Sequence, residues 1–238
     1  MVVHTYLTKK PKNPVIIVGF PGFGLVSTIA TEFLMDHLKT EKIGSVHMSN
    51  LPPMIAVHSG KAIDPIGIFY NKEHNIVLVH VISAAKDIEW KLAEAVIDLA
   101  KQLKAKEIVS LEGIGSLKPS EKTRSFFFAS KKENTARLEK LTTAPLKEGI
   151  IMGLTGILML KSSKEYPVTA LFAEAHSNMP DSKAAAKVIE VLNDYVGLKI
   201  DTKPLIKQAE KFENKLRQLL EKTTEMSKEQ KKKLTYVG

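Results

Sequence analysis

Apolar runs and helical periodicities alternate along this chain, starting near its amino end. Residues 15–18, reading VIIV, form a short apolar run of β-branched residues that stops at Gly19. A turn rich in Gly and Pro follows, and apolar residues then recur at helical spacing from residue 23 to about 39. A buried strand, a tight turn and a helix in this order predict the opening unit of an α/β domain.

The same two patterns continue as far as residue 197. Residues 65–70 and 75–82 are predicted to pair as a hairpin around the polar turn 71–74. The other predicted strands are 43–48, 54–59, 107–111, 126–128, 149–152 and 167–173, and the other predicted helices are 87–105, 155–162 and 181–196. Because strands alternate with helices, we expect a three-layer α/β sandwich with a mostly parallel mixed sheet.

A different pattern starts after Gly197. Asp201 or Thr202 can cap a helix, Pro204 suits its first turn, and the helix is predicted to run to about residue 233. Its apolar residues alternate in steps of four and three, which is typical of a helix bundle. These residues are Leu205, Ala209, Phe212, Leu216, Leu219, Thr223 and Met226.

Two arrangements fit this long C-terminal helix. It could pack back on the core, as amphipathic helices commonly do, or associate with copies of itself, which the four-three spacing favours. Ile206 and Leu220 widen the apolar stripe, and a wider stripe favours more than two strands. We therefore expect a core domain at 1–200, an oligomerisation helix with a partner-binding tail at 201–238, and a homo-oligomer, with a tetramer favoured.

Composition narrows the class of protein. The chain has 238 residues, is 44% hydrophobic and contains no Cys, so it has no disulfide, thiol nucleophile or cysteine metal site. Its apolar runs are shorter than the ~18 residues of a membrane-spanning helix. Its first residues carry charges without the apolar stretch of a secretory signal. We therefore expect a cytoplasmic protein with no membrane partner.

The net charge of +9 raises the question of nucleic-acid binding. Only three of the 35 basic residues are Arg, the residue that favours bidentate contacts to bases and phosphates. Residues 203–233 hold ten Lys or Arg against five Glu, so over half of the excess charge lies near the carboxyl end. This distribution is typical of a basic tail that meets an acidic protein surface, and we expect no nucleic-acid partner.

The turn after the first predicted strand spaces its glycines as Gly19, Gly22 and Gly24. Glycines in such a turn allow a sharp bend and a close approach of other groups. The order G-x-x-G-x-G differs from the dinucleotide fingerprint G-x-G-x-x-G, and no Lys-Ser or Lys-Thr pair follows as in a P-loop. The spacing favours a structural turn, and phosphate binding is the alternative.

The catalytic candidates are carboxylates at the ends of predicted strands, where α/β proteins bind ligands. Glu112 and Glu174 hold such positions, and His176 follows the second. The sequence lacks the motif G-x-S-x-G and the spacing of His and Glu that zincins share. His80 lies inside a predicted strand, which is typical of a histidine packed in the core. We therefore predict no catalytic residue, no metal site and no cofactor. The alternative is a phosphorylase-like or nucleotide-binding enzyme that uses the Gly19–Gly24 loop with both carboxylates.

Five segments together resemble one known family. Residues 19–27 (GFPGFGLVS) are similar to the first signature of the proteasome assembly chaperone two family, and Leu51-Pro52-Pro53 to its proline-containing segment before a strand. Residues 149–160 (GIIMGLTGILML) resemble its strand, glycine turn and apolar helix. Residues 171–176 (LFAEAH) and 180–186 (PDSKAAA) resemble its last strand and the start of its last core helix. The resemblance spans most of the chain.

This resemblance implies a fold and a function. Archaeal members of the family are small α/β proteins, and the fold is related to the nucleoside phosphorylase architecture. The implied function is that of a non-enzymatic protein that binds proteasome core particle subunits, as an assembly chaperone or an activator of the archaeal core particle. A plain oligomeric scaffold is a further alternative.

The last residues add a candidate contact. A Lys-rich stretch gives way to Leu234, Tyr236, Val237 and Gly238. Proteins that open or bind the proteasome core resemble one another in ending with a hydrophobic residue, a penultimate Tyr and a final residue of any kind, and such a tail docks on the outer ring. Tyr236 is third from the end here, so this tail departs from that pattern. The resemblance implies docking through these four residues, and a frayed chain end is the alternative.

Overall fold

Strands alternate with helices in the part of the chain that the structure, a computed structural model, describes. The described residues are 3–49, 51, 55–58, 60–82, 88–115, 122–162, 166–175 and 179–207. The strands are β1 (Val3–Leu7), β2 (Val15–Gly19), β3 (Glu41–Met48), β4 (Ala56–His58), β5 (Lys61–Ile63), β6 (Ile66–Asn71), β7 (Ile76–Val81), β8 (Glu107–Gly115), β9 (Ser125–Ala129), β10 (Ala144–Pro145) and β11 (Val168–Ala175). The helices are α1 (Val26–His37), α2 (Glu89–Leu103), α3 (Lys132–Leu138), α4 (Gly153–Ser162) and α5 (Ser182–Val196), and a 3-10 turn spans Phe23–Leu25.

Within the described residues, nine strands form one mixed sheet in the order β1-β3-β6-β7-β2-β8-β11-β9-β10. Its centre, β7-β2-β8-β11, is parallel. Strands β1, β3 and β6 extend it in antiparallel fashion on one side, and β9 does so on the other. The central strands are largely buried because helices cover both of their faces. The predicted mixed α/β sheet is confirmed, and its parallel pairing is concentrated at the centre.

Helices on both faces of the sheet make three layers, as the alternation of elements predicted. Helices α1 and α5 pack on one face, and α2 and α4 pack on the other. Successive residues of β2 contribute to opposite cores: Ile17 belongs to the α1/α5 side, whereas Ile16 and Val18 belong to the α2/α4 side. All three are 0% exposed. Burying each such side chain contributes about 1.5–3 kcal/mol, so each layer stabilises the others.

The hairpin prediction is confirmed, since β6 pairs with β7 around the turn that follows Asn71. The segment predicted as a strand at 149–152, however, is a loop, in which Ile150 is 87% exposed and Met152 is 78% exposed. The neighbouring positions in the parallel centre are already occupied, because β8 lies between β2 and β11 and β11 lies between β8 and β9. An apolar run indicates that a segment tends to be buried, but it does not determine whether a neighbouring strand is free to pair with it. Strand β1 and helix α3 are elements that the sequence pattern did not predict.

Gly19 allows α1 to cross directly against the end of β2. A Cβ atom at this position would lie 2.5 Å from Thr31 Cγ2 and 2.6 Å from the Ser27 carbonyl oxygen. The Thr31 hydroxyl also lies 2.9 Å from that carbonyl oxygen and 2.8 Å from Nδ1 of His80, which is 2% exposed on β7. His80 is therefore a packed core histidine, as predicted, and the helix is tied to two central strands at one point.

The carboxyl-terminal end of the described chain packs on the α1/α5 side of the sheet. Gly197, with φ +76°, ends α5, and a helical turn begins at residue 203. Leu205, which the heptad pattern assigned to a subunit interface, is 4% exposed and belongs to the core of its own chain. Its surface is already covered, so the interface prediction now depends on the positions from Ala209 to Met226. Those positions, and residues 234–238, lie outside the described residues.

A cluster of buried polar side chains lies at the amino-terminal end of the parallel strands. Oε2 of Glu107 accepts hydrogen bonds from Tyr195 Oη at 2.8 Å, Asn134 Nδ2 at 2.8 Å and Thr169 Oγ1 at 3.3 Å. Arg137 Nη2 donates to the Tyr195 carbonyl oxygen at 2.7 Å. Burial raises the pKa of Glu107, and the hydrogen bonds and the Arg137 charge oppose part of this rise. The cluster ties β8, β11, α3 and α5 together.

The contact at Gly19 predicts a specific instability. In Gly19→Ala, the added methyl group meets the Ser27 backbone, so α1 must move, and we expect a loss of about 1–3 kcal/mol in the free energy of unfolding. Gly149→Ala is the control, because its Cβ would meet only Leu146 side-chain atoms at 3.6 Å or more, and a change within about 0.5 kcal/mol is expected. Urea unfolding of both variants provides the measurement. Equal stability of the two variants would contradict the close approach.

The raised pKa of Glu107 predicts a pH dependence of stability. The folded state favours the protonated form of Glu107. Its contribution to the free energy of unfolding is therefore complete below the ordinary Glu pKa of about 4.3, and it is lost as pH rises through the folded-state pKa. Glu107→Gln removes this titration, and the free energy of unfolding of the wild type relative to the variant should fall as pH rises from 4 to 7. Urea unfolding at each pH measures the difference, with exposed Glu133→Gln as control. A difference that rises with pH would refute the assignment.

Candidate functional site

A cleft of about 490 Å³ lies at the carboxyl edge of the central strands, where parallel sheets commonly bind ligands. Its walls come from the turn after β2, the end of β8, the start of α2, and the loop that leads into α4. Three aromatic residues are among the described residues that line it, namely Phe20, Phe23 and Phe172. The described lining includes two carboxylates, those of Glu89 and Glu112. The cleft therefore combines apolar walls with acidic groups.

The glycine turn that forms one wall is fixed by its own chain. Gly24 has φ +63°, and a Cβ there would lie 2.8 Å from Cβ of Ala175 at the end of β11. The backbone N–H of Asp181 donates to the Gly24 carbonyl oxygen at 2.9 Å, and the Ser27 hydroxyl donates to the Phe20 carbonyl oxygen. The turn is thus locked between β11, α5 and the first turn of α1, which agrees with the structural interpretation of its spacing.

Glu112 is the titratable group with the most unusual environment in this cleft. The Thr155 hydroxyl of α4 donates to its Oε1 atom and lies 2.6 Å from the Ser110 hydroxyl. Its Oε2 atom lies beside Gly22, where a Cβ would be 3.2 Å away. Burial raises the pKa of Glu112 to about 7, and the Thr155 hydrogen bond opposes part of this rise. The carboxyl group therefore titrates near neutral pH.

The charges of the cleft do not suit a phosphate. Among the described residues that line it there is no Lys, Arg or His, and the Glu112 carboxyl lies against the glycine turn that would have to cradle the anion. Phosphate sites use backbone N–H groups and cationic side chains, and a carboxylate at the same place opposes binding. The geometry therefore disfavours a nucleotide on the Gly19–Gly24 loop.

The two carboxylates predicted as a catalytic pair have different surroundings. Glu174 is 5% exposed and accepts two hydrogen bonds from Arg124, at 2.9 Å from Nε and 2.5 Å from Nη2. It does not line the cleft that Glu112 lines. His176 lies outside the described residues. The structure thus brings Glu112, but not Glu174, to the glycine turn.

Exposed apolar side chains beside the cleft were missed by the sequence analysis. Ile150 and Met152 belong to the loop that lines it, and their apolar run suggested a strand. Trp90, on the first turn of α2, is 54% exposed, and Lys161 Nζ lies 5.3 Å from the centre of its ring. The flanking Gly149 and Gly153 were the available signal, because two glycines around a three-residue run also suit an exposed loop.

Two other features are absent from the described residues. No helix there is long and apolar enough to cross a membrane. No group of three or more His, Cys, Asp or Glu side chains in those ranges is arranged to hold a metal ion. The cleft with Glu112 is the candidate ligand site because of its place at the carboxyl edge of the parallel strands.

Comparison with known proteins places the chain among proteins of the same fold. It is 31% identical over 222 residues to an uncharacterized protein of Methanocaldococcus jannaschii, covering 93% of this chain and 91% of that one. It is similar to the crystal structure of Pyrococcus furiosus PbaA, an archaeal homolog of proteasome-assembly chaperone, with TM-score 0.86, 30% identity and 97% of each chain covered.

A second solved structure shares the fold at lower identity. Pyrococcus furiosus PbaB, an archaeal proteasome activator, matches with TM-score 0.78 and 20% identity over 91% of this chain and 98% of that chain. The model of the PAC2 family matches residues 16–220, which include the glycine turn, both helix layers and the central strands. The chain therefore belongs to the PAC2 family.

Proposed function

We propose that this chain is a non-enzymatic cytoplasmic protein that binds the proteasome core particle, as an assembly chaperone or an activator. The observation that carries the proposal is the similarity to PbaA over nearly the whole of both chains, since PbaA is a homolog of proteasome-assembly chaperone. PbaB, which shares the fold, is a proteasome activator. Fold alone does not decide between these two roles.

The candidate site supports a function without nucleotide chemistry. The described lining of the cleft carries carboxylates and no cation, and the predicted acid–base pair is divided between a cleft group, Glu112, and an ion-paired group, Glu174. Neither arrangement favours a phosphorylase-like reaction, which must bind an anion. A binding role at another surface of the protein is the simpler proposal.

Contact with the core particle is proposed to involve residues 234–238. A run of three lysines at 231–233 precedes Leu234, Tyr236 and Val237. Lysines increase the rate of encounter with an acidic surface, and an aromatic ring with a polar tip suits a partly buried pocket. Several tails held on one homo-oligomer would bind by avidity although each tail alone binds weakly. The subunits are proposed to associate through the helix that carries Ala209 to Met226, as a tetramer.

Deleting residues 234–238 tests the docking segment. We expect the truncated protein to lose binding to purified archaeal core particle and to lose any stimulation of its hydrolysis of a fluorogenic peptide, because the apolar anchors are gone. Tyr236→Ala should reproduce most of the loss, whereas Thr235→Ala is the matched control and should bind normally. Light scattering must show an unchanged oligomer.

Binding should also weaken as salt rises, because screening reduces the attraction of the lysine run. If the truncated protein binds and stimulates as well as the full chain, contact comes from the globular body and the docking segment is refuted. If the full chain does not bind the core particle but is stabilised by a nucleoside with phosphate in thermal unfolding, the enzyme alternative replaces the proposal.

The heptad positions give a separate test of assembly. Leu216→Asp with Leu219→Asp places two charges on the apolar stripe, and we expect light scattering to report a lower mass, because each leucine buried between subunits contributes about 1.5–3 kcal/mol. Asn214→Asp with Gln218→Asp is the charge-matched control, since both positions lie off the stripe, and its mass should stay that of the wild type. An unchanged mass for the first variant would show that the helix is not the interface.

A further inference from the structure

The cleft at the carboxyl edge has the dimensions of a small-molecule site. Its volume of about 490 Å³ falls within the ~300–1,000 Å³ typical of ligand pockets. Phe20, Phe23 and Phe172 contribute to its apolar lining, and such sites commonly combine apolar walls with a few polar groups that orient the ligand. The polar group that this cleft offers at its glycine wall is the Glu112 carboxyl.

One oxygen of Glu112 is held and the other is available. Thr155 donates to Oε1, so the carboxyl group is held in place from α4. Oε2 accepts no hydrogen bond from the described residues and lies beside Gly22, where the absence of a side chain leaves room for another group. Glu112 is partly buried, so a ligand in the cleft can reach Oε2, and a cation that also donates a hydrogen bond offsets the cost of desolvating the charged carboxylate.

The charged groups that face Glu112 determine whether the cleft favours a positively or a negatively charged ligand. From α2 the cleft receives Glu89, a second carboxylate, and from α4 it receives the neutral Thr155. The turn after β2, the loop 150–153 and β11 contribute no titratable group to the described lining. Within the described lining, two carboxylates that have no cationic neighbour attract a positive charge and repel an anion.

We propose that this cleft binds a small organic cation with an apolar body, such as a primary amine on an aromatic or branched aliphatic group. The ammonium donates to Oε2 of Glu112 beside Gly22, and the apolar body contacts Phe20, Phe23 and Phe172. This site is separate from the contact proposed for residues 234–238, so its occupancy is measured without the proteasome.

The pKa of Glu112 gives the proposal a pH signature. With a pKa of about 7, the carboxyl is ionised in about one tenth of the molecules at pH 6 and in about nine tenths at pH 8. An ammonium ion binds the ionised form, so affinity should fall about tenfold from pH 8 to pH 6, and binding at pH 7 should release a proton from Glu112. Glu89 shares the cleft, so the assignment to Glu112 must come from variants.

The experiment titrates the full-length protein with three matched probes by isothermal calorimetry at pH 6, 7 and 8. The probes are 2-phenylethylamine, 2-phenylethanol and 3-phenylpropionate, which differ in charge on a similar apolar body; isoamylamine replaces the aromatic ring with a branched chain. We expect the amines to bind at least tenfold more tightly than the alcohol at pH 8, and the anion not to bind.

Three variants distinguish a specific effect on amine binding from a general effect on protein stability. Glu112→Gln should weaken amine binding at least tenfold and remove its pH dependence. Gly22→Ala should weaken it with the charge intact, because its Cβ would lie 3.2 Å from Oε2. Glu94→Gln is the control, since Glu94 lies on α2 and pairs with Lys91 and Lys161 at 2.8 Å, and it should bind like the wild type.

Equal binding of amine and alcohol, unchanged affinity in Glu112→Gln, or no binding of either amine would overturn the proposal. Preferential binding of the anion would overturn it and would favour the phosphate alternative for the glycine turn. Loss of amine binding in Glu112→Gln with normal core-particle binding would support the cation site and leave the proposed function intact. Failure of the wild type to bind the core particle would leave the calorimetric result unaffected, so the two proposals are distinguishable.

Discussion

The close packing of α1 on β2 is the constraint on which the rest of the structure depends. Because Gly19 has no side chain, the backbone of Ser27 comes within contact distance of the strand, and Thr31 reaches His80 on the neighbouring strand β7. This crossing fixes where the helix starts, and therefore where the turn after β2 must lie. The glycine turn after β2 forms one wall of the cleft. A strand–helix contact inside the core thus sets the geometry of a surface site.

The two carboxyl groups of β8 have different surroundings at the two ends of the strand. Glu107, at the amino end, accepts hydrogen bonds from three elements, so its burial is compensated in part within the protein and it serves packing. Glu112, at the carboxyl end, has one donor, Thr155, and a neighbouring space beside Gly22. Both pKa values are raised by burial, but only Glu112 faces a cleft. The distribution of partners, more than the pKa itself, distinguishes a structural carboxylate from one available to a ligand.

Membership of the PAC2 family fixes the scaffold, and the surfaces attached to that scaffold carry the function. The described body offers an acidic, apolar cleft, whereas over half of the excess positive charge lies at 203–233. The two proposals therefore assign partners of opposite charge to these regions: a cation to the cleft and an acidic surface to the carboxyl-terminal segment. Leu205, buried in the α1/α5 core, attaches the start of that segment to the body.

The sequence by itself determined the layered α/β fold, the hairpin, most helix and strand positions, and the family, because buried strands and amphipathic helices leave a local periodicity in the order of residues. It also indicated that the glycine turn is structural. Only the tertiary structure decided that 149–152 is a loop, since the positions beside β8 and β11 are filled by strands distant in sequence. It also decided that Leu205 is buried in its own core and that Glu112, without Glu174, faces the glycine turn. Each of these depends on contacts between residues far apart along the chain, and local periodicity carries no information about which distant residues meet.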